Sequence, residues 1–539
     1  MTNTNALAML QFVLTIVILF SSGCSQQEAP GPDDNSTEVM EADPKSPRDI
    51  EQDPSKRFRW TIGTAGDSQG MLGIKFRGSD ATTEVNDAVA LPPMIQGAPG
   101  AISVDAEGNQ YVGGEFEGAK DFNPRAGVDG RRAIAKKDAF VSRFNSDGTY
   151  QWTQTFGGMR GAGVRQLAVA HDIVYASIDE QGGGDEQADG GRITIVAMDS
   201  RTGKRLRTFG KEGVQTFSCA YSDWTTGIVI VGRTVYVAVS CYNVVGLAAD
   251  GVPTSECFAV VLALDAETGR PRSEFGDRGV QTFGNAGSTQ PPLVRASGRS
   301  DVSFQLSAAS ASSIYLTGWM DGRGARGIGG KGTIERFDSS RGFVIALDAK
   351  TGQPKKGFGT DGVQILPPFV GVAGAAALAE DSLYIAGSRK RTSDLFVAAL
   401  DAGTGSPKNE FGDGGFFPFS PAGLDQWEGC SEILLSESGV YVVGGTSKGA
   451  FLAAFDKRTG EPCGWFGMKG VQLIEGLNCG AVSASSYQDF IYLAATTMLY
   501  DSRLVTIADK QFDGGDWTGF LFKLGQAGAL MDKDGNDSR

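Results

Sequence analysis

One phrase recurs along this chain and limits what it can fold into. An apolar run closes on Asp, Thr-Gly follows, and Phe-Gly comes ten residues after the Asp. Close copies read AMDSRTGKRLRTFG from Ala197, ALDAETGRPRSEFG from Ala263, ALDAKTGQPKKGFG from Ala346, ALDAGTGSPKNEFG from Ala399 and AFDKRTGEPCGWFG from Ala454. Their turn Asp residues are Asp199, Asp265, Asp348, Asp401 and Asp456. A more distant copy, SRFNSDGTYQWTQTFGG, starts at Ser142, and a truncated one, FLFKLGQAGAL, at Phe520. Each copy predicts a hairpin: Asp bonds its own backbone in the turn and Gly tolerates positive φ. Self-similarity at such a period marks a repeat architecture.

A second element precedes each hairpin: NQYVGG, IVYASI, TVYVAV, SIYLTG, SLYIAG, GVYVVGG and FIYLAAT. Its shared residues are Tyr111, Tyr175, Tyr236, Tyr315, Tyr384, Tyr441 and Tyr492, seven of the chain's 12 tyrosines. An earlier apolar strand and a short turn lead into each of them. One unit therefore holds four strands in meander order, a to d. Seven such units predict an all-β, seven-bladed β-propeller of four-stranded antiparallel blades, with six or eight blades as the alternatives. The 76 glycines fit this reading as turn residues. The last unit stops after its third strand. FRWTIGTAG, from Phe58, resembles YQWTQTFGG and pairs Trp60 with Trp152. The N-terminal segment is thus expected to supply strand d of the last blade and close the ring, which removes two free sheet edges.

Four regions follow. Ala6 to Phe20 is an apolar run too short for a comfortable membrane span, which needs ~20 residues. It reads as a signal-peptide core, with 1–23 as the signal. Ser21-Ser22-Gly23-Cys24 resembles a bacterial lipoprotein signal, which makes Cys24 the lipidated residue; an ordinary secretory signal is the alternative. Ser25 is compatible with sorting to the outer membrane or cell surface. Residues 24–57 form an acidic tether. Between 25 and 55 lie nine acidic and two basic side chains, five prolines and no aromatic, too little apolar area to offset ordering entropy. The propeller is expected over 58–532, with a flexible tail at 533–539.

The residues 111–158, YVGGEFEGAKDFNPRAG through YQWTQTFGG, resemble secreted bacterial β-propeller repeats. The ALDAxTG and FGxxGVQ units are similar to delta-sixty repeats and to those of quinoprotein-like propellers. The resemblance implies an exported propeller and leaves activity open, since one fold hosts many functions. Quinoprotein dehydrogenases carry adjacent paired cysteines; this chain has no Cys-Cys pair, and its repeats mostly lack the blade-docking Trp. The ALDAxTG residues are blade structure rather than a cofactor site.

Other chemistry is sparse. A net charge of −14 disfavours nucleic acid. His171, the one histidine, sits in a predicted turn and reads as structural. No catalytic, cofactor or metal residues are assigned. Ca²⁺ is the residual cofactor option, through DEQGGGDEQADGG from Asp179 or MDKDGND at the tail, although both lack EF-hand spacing and read as solvated loops. Six cysteines besides Cys24 suggest disulfides in an exported chain. Cys241, at the end of strand b, and Cys257, at the start of strand c, are expected to pair; the pairing of Cys219, Cys430, Cys463 and Cys479 stays open.

Insertions are one-sided. From the repeated Tyr to the turn position takes 17 and 15 residues in the fifth and sixth units, but 33 or 34 in the first, fourth and seventh. The long b-to-c and d-to-a connections share one face of a meander ring. Trp224, Trp319, Trp427 and Trp517 fall on that side, whereas Trp60, Trp152 and Trp465 belong to strand d as packing residues. Exposed Trp is enriched at binding hot spots. The expected function is an envelope-anchored, noncatalytic binding or scaffold module. Its partner is an unidentified protein or polysaccharide of the envelope or exterior, and its membrane contact is the lipid anchor alone. The alternative is a carbohydrate-active or quinoprotein-like enzyme with carboxylates at the channel mouth.

Overall fold

The computed structural model describes residues 61–64, 72–75 and 89–90 and most of 98–525. The longer segments outside the description within that span are 124–128, 158–160, 181–191, 246–256, 285–293, 297–301, 321–324, 329–339, 391–393, 422–428, 476–478, 498–504 and 513–517. The described residues form strands and turns without a helix. The chain is a β-propeller of antiparallel sheets: among the described residues four blades have four strands, the second and third share one seven-stranded sheet, and the last has three. Each sheet is a meander in chain order, such as Ala98–Val104, Gln110–Phe116, Asp138–Phe144 and Tyr150–Phe156 in the first blade.

Seven inner strands surround one axis. They are Ala98–Val104, Ala162–Ala170, the second half of Val214–Val231, Val302–Ala309, Val370–Ala379, Gly429–Leu435 and Cys479–Tyr487. Each lies against the next, and the seventh lies against the first. At that seam the Ile102 amide donates to Ser483 Oγ at 3.3 Å. Among the described residues six of the seven blade interfaces each hold a hydrophobic cluster. Ile102, Val112 and Phe140 of the first blade pack with Tyr492 and Ala494 of the last. Because both faces of every sheet are covered, second strands are buried at consecutive positions, as in Ser313 to Gly318. This is why they read as unbroken apolar runs instead of alternating ones.

The repeated motif is an inter-blade latch. Asp401 Oδ1 accepts the Thr404 amide at 2.7 Å and the Thr404 hydroxyl at 2.8 Å, which fixes the turn. The Thr404 carbonyl accepts the Gly359 amide of the preceding blade at 2.7 Å. Gly276 to Thr351 and Gly412 to Thr459 repeat the bond. The tyrosines complete it. Tyr175, Tyr236 and Tyr315 donate to the carbonyls of Ala266, Ala349 and Ala402 at 2.7 Å, and Tyr384 to that of Lys457 at 3.0 Å. The first blade departs from the pattern. Tyr111 donates to its own Asp105 at 2.9 Å, and the Trp152 indole takes the next blade's Ser200 carbonyl at 3.2 Å. Trp152 is buried and has the packing role expected of it. Trp60 and Trp465 lie outside the described residues.

Three expectations are revised. The second and third units have no d-to-a connection: Val214–Ser218 pairs with the second blade, and Ser218–Val231 continues directly as the inner strand of the third. The run GVQTFSCAYSDWTTGIVIV holds Ser-Asp and Thr-Gly, which read as turn signals, but the strand absorbs both as register shifts, between Ser222 and Trp224 and between Thr225 and Gly227. The N-terminal segment reaches the last blade differently than expected. Thr61–Thr64 pairs with Leu72–Lys75, which pairs with Val89–Ala90, and it is Val89–Ala90 that lies beside Thr518–Gly525. Finally, Cys241 does not end its strand, which runs from Thr234 to Val245 and pairs Cys241 with Ser222.

Candidate functional site

The inner strands enclose a channel of about 320 Å³, at the lower end of the range typical of ligand pockets. All seven blades line it, through residues that include Ser103, Gln166, Thr226, Gln305, Glu432 and Ser485. A β-bulge interrupts every inner strand. The extra residues are Gly100, Arg165, Thr226, Ser307, Gly374, Ser431 and Gly480. A bulge turns a side chain away from the regular alternation of the strand. Such local re-aiming sets polar groups against the lumen on strands whose remaining side chains enter the blade interfaces.

Glu432 is the one carboxylate among the described lining residues. It follows the Ser431 bulge and pairs with Val443. It keeps some accessible surface toward the lumen, yet protein surrounds it closely enough that desolvation pushes its carboxyl up to about 8. Thr226 Oγ1 is shielded and makes no hydrogen bond. Sequence reading missed Glu432, Thr226, Gln166 and Gln305. The available signal was a charge inside an otherwise apolar inner strand, CSEILL, which a surface edge strand would show equally well.

Around the channel the two faces of the ring differ. One carries the Asp-x-x-Thr-Gly turns and is occupied by the latches. His171 belongs to it: the residue adopts φ 53° and its Nε2 lies 3.1 Å from the Gly232 carbonyl of the neighbouring blade's turn. The other face carries the insertions. There Val294–Ala296, from the connection between the third and fourth blades, pairs antiparallel with Ala325–Ile328, from the b-to-c connection of the fourth. The pairing places both classes of insertion on one side. Ala119–Asp121 and Gly130–Arg132 form a further hairpin in the first blade's insertion, and Val505–Ile507 with Lys510–Phe512 another in the last. Ile134 on this face is 79% exposed, and its backbone is held by Asp138, whose Oδ2 accepts the Ile134 amide at 2.8 Å.

Two of the tryptophans singled out earlier lie in described strands. Trp224 lies within the long strand Val214–Val231, opposite Ser240. Trp319 is the penultimate residue of Ser313–Met320 and is partly exposed. Trp427 and Trp517 lie outside the described residues, as does Cys24. The backbone of Cys241 and Cys257 is described but their side chains are not. The Cys430 thiol donates to the Gly387 carbonyl at 3.9 Å, and burial pushes the Cys463 thiol up to about 11. Asp179, placed in a solvated loop by sequence, instead sits in the strand Ile173–Glu180. It is buried and accepts from the Thr225 amide at 3.2 Å and the Thr225 hydroxyl at 2.9 Å, with Arg165 at 3.7 Å. Burial raises its carboxyl above the usual range, against the pull of Arg165. Among the described residues no three His, Cys, Asp or Glu side chains group to hold a metal ion.

The ring of radial meanders around a polar channel defines the class: an all-β propeller. No family model and no curated protein matches the chain. Solved structures similar to it include quinohemoprotein alcohol dehydrogenase from Comamonas testosteroni, with TM-score 0.38 and 13% identity over 89% of this chain and 76% of that one. Polysaccharide lyase Uly1 aligns with TM-score 0.42 and 11% identity over 87% of this chain and 98% of its own. The PQQ-bound aldose sugar dehydrogenase from Streptomyces coelicolor aligns with TM-score 0.33 and 11% identity over 80% and 96%.

Proposed function

We propose that this chain is an exported, lipid-anchored propeller that binds another component of the cell envelope or exterior through its insertion-rich face. The observation that carries the reading is the pairing of Val294–Ala296 with Ala325–Ile328, which joins two separate insertions into one platform. The opposite face is committed to holding the blades together, so variation there costs stability. On the insertion face the connections vary in length from blade to blade, so they have room to diverge toward a partner. Ile134, exposed on a clamped backbone, offers apolar contact with little ordering cost.

The anchor rests on Cys24 after the apolar run Ala6 to Phe20, and the acidic stretch to residue 57 is the tether. Metabolic labelling with a fatty acid tests it: label in the wild type and none in Cys24→Ala is the expected result. A Cys241–Cys257 disulfide belongs to the same exported reading. Ser240 pairs with Ala259, which sets both cysteines at the same end of one strand pair. A non-reduced digest that yields both as free thiols rejects it.

Binding is tested by crosslinking in intact cells, comparing the wild type with a chain whose residues 321–340 are replaced by a short Gly-Ser link. The expected result is loss of a specific crosslink with an unchanged melting temperature. A crosslink that survives this replacement and Ile134→Ser sends the binding site elsewhere. The rival reading, an enzyme acting through carboxylates in the channel, has Glu432 in its favour. Hydrolysis by a carboxylate pair needs a second such group on the facing wall.

A further inference from the structure

The channel contains polar groups that the fold does not use. Blade packing is complete without Glu432, which lies on the lumen side of its strand, and without the side chains of Gln166 and Gln305 on other walls. Thr226 Oγ1 is buried and unpartnered, and a buried hydroxyl left without a bond costs free energy that a ligand can recover. The environment of Glu432 sets the charge of that ligand. Val443 opposes it in its own blade, Ala375 and Ala376 flank it from the fifth and Ser483 to Ser485 from the seventh; none titrates. No Lys or Arg is among the described lining residues. Arg165, next to Gln166, is directed to Asp179. The chain as a whole is acidic, which draws cations toward it.

We propose that the central channel is a binding site for a small molecule carrying a primary ammonium group, with the nitrogen at Glu432 and the ligand's other polar groups at Gln166, Thr226 and Gln305. An ammonium donates three hydrogen bonds, which suits a carboxylate beside amide and hydroxyl oxygens. A quaternary ammonium would call for aromatic walls, and no aromatic side chain is among the described lining residues. The volume, about 320 Å³, corresponds to roughly ten waters and so suits an organic molecule rather than a bare ion. The unliganded carboxyl is protonated below about pH 8, so binding a cation releases that proton to the buffer.

Calorimetry of the full-length protein with glucosamine and glucose, which differ by the amino group, tests this site separately from the insertion face. The expected result is at least about tenfold tighter binding of glucosamine, the size of one charge-assisted hydrogen bond. Its apparent enthalpy should change with the buffer's ionisation enthalpy, as proton release requires. Glu432→Gln, which keeps the shape of the neutral acid, should abolish both the preference and the buffer dependence. Thr226→Val should weaken both sugars without lowering the melting temperature, since it removes an unsatisfied buried hydroxyl. Equal affinities, no binding of either sugar, or a preference that survives Glu432→Gln overturns the proposal. Loss of folding in Glu432→Gln would leave the wild-type comparison and the buffer dependence to decide it.

Discussion

The Tyr236 hydroxyl donates to the carbonyl of Ala349 at 2.7 Å across 113 residues of sequence, and so joins the third blade to the turn of the fourth. The same bond recurs between the second and third blades through Tyr175 and Ala266. A propeller has few covalent links between sheets, so such bonds set the spacing of the ring. Tyr236→Phe keeps the ring and leaves the Ala349 carbonyl unsatisfied. We expect a loss of about 1–2 kcal/mol in urea unfolding. An unchanged midpoint would show that water replaces the hydroxyl.

The turn glycines serve two constraints at once, and substitution separates them. Gly352 has φ 69°, and an added Cβ would lie 3.1 Å from Phe275 of the preceding blade. Gly232 has φ 56° with open space around it. Gly232→Ala should cost about 1 kcal/mol from backbone conformation alone. Gly352→Ala should cost roughly 2–4 kcal/mol, because the fully buried Phe275 must also shift. Equal costs in thermal unfolding would mean that the blade interface has slack.

Acid should loosen the turns. The Thr404 hydroxyl and amide hold the Asp401 carboxyl below its usual range, and Thr202 does the same for Asp199. A carboxylate with a depressed folded pKa stabilises above its unfolded value, about 3.9, and loses that contribution as pH falls through the folded one. Asp401→Ala should therefore melt below the wild type at pH 7, and the gap should close below about pH 4. A gap independent of pH would assign the turn to backbone geometry instead.

Glu432 works in the opposite direction. Its folded pKa of about 8 lies above the unfolded value, so the folded state holds a proton that the unfolded chain has released. Its contribution is complete below the unfolded pKa, near 4.3, and declines as pH rises through the folded one. Glu432→Gln should match the wild type near pH 4 and melt increasingly above it up to about pH 9, after which the gap stays constant. Wild type and variant melting together at pH 9 would mean that the channel hydrates the carboxylate fully.

Much of this molecule is local and was legible in the sequence. The Asp-x-x-Thr-Gly turn closes through bonds within a few residues, and its Phe-Gly sequel and the recurrent Tyr repeat with it. Repetition therefore exposed the meander, the blades and the face on which insertions accumulate. What lay beyond reach was set between blades or by the absence of a turn. Tyr175 was visible as a repeat, but its partner Ala266 lies 91 residues away. The run around Trp224 contains Ser-Asp and Thr-Gly, which read as a turn, so its uninterrupted passage from one blade into the next was hidden. Asp179 looked solvated beside its Gly-rich neighbours, and only the Thr225 strand of the adjacent blade buries it. The channel site is the extreme case. Gln166, Thr226, Gln305 and Glu432 come from four different blades, and a bulge on each inner strand adjusts how each meets the lumen. Hydrophobic pattern and turn chemistry decide what one blade is. Only closure of the ring decides which polar side chains share a single enclosed space, because that neighbourhood is created by strands far apart in the chain.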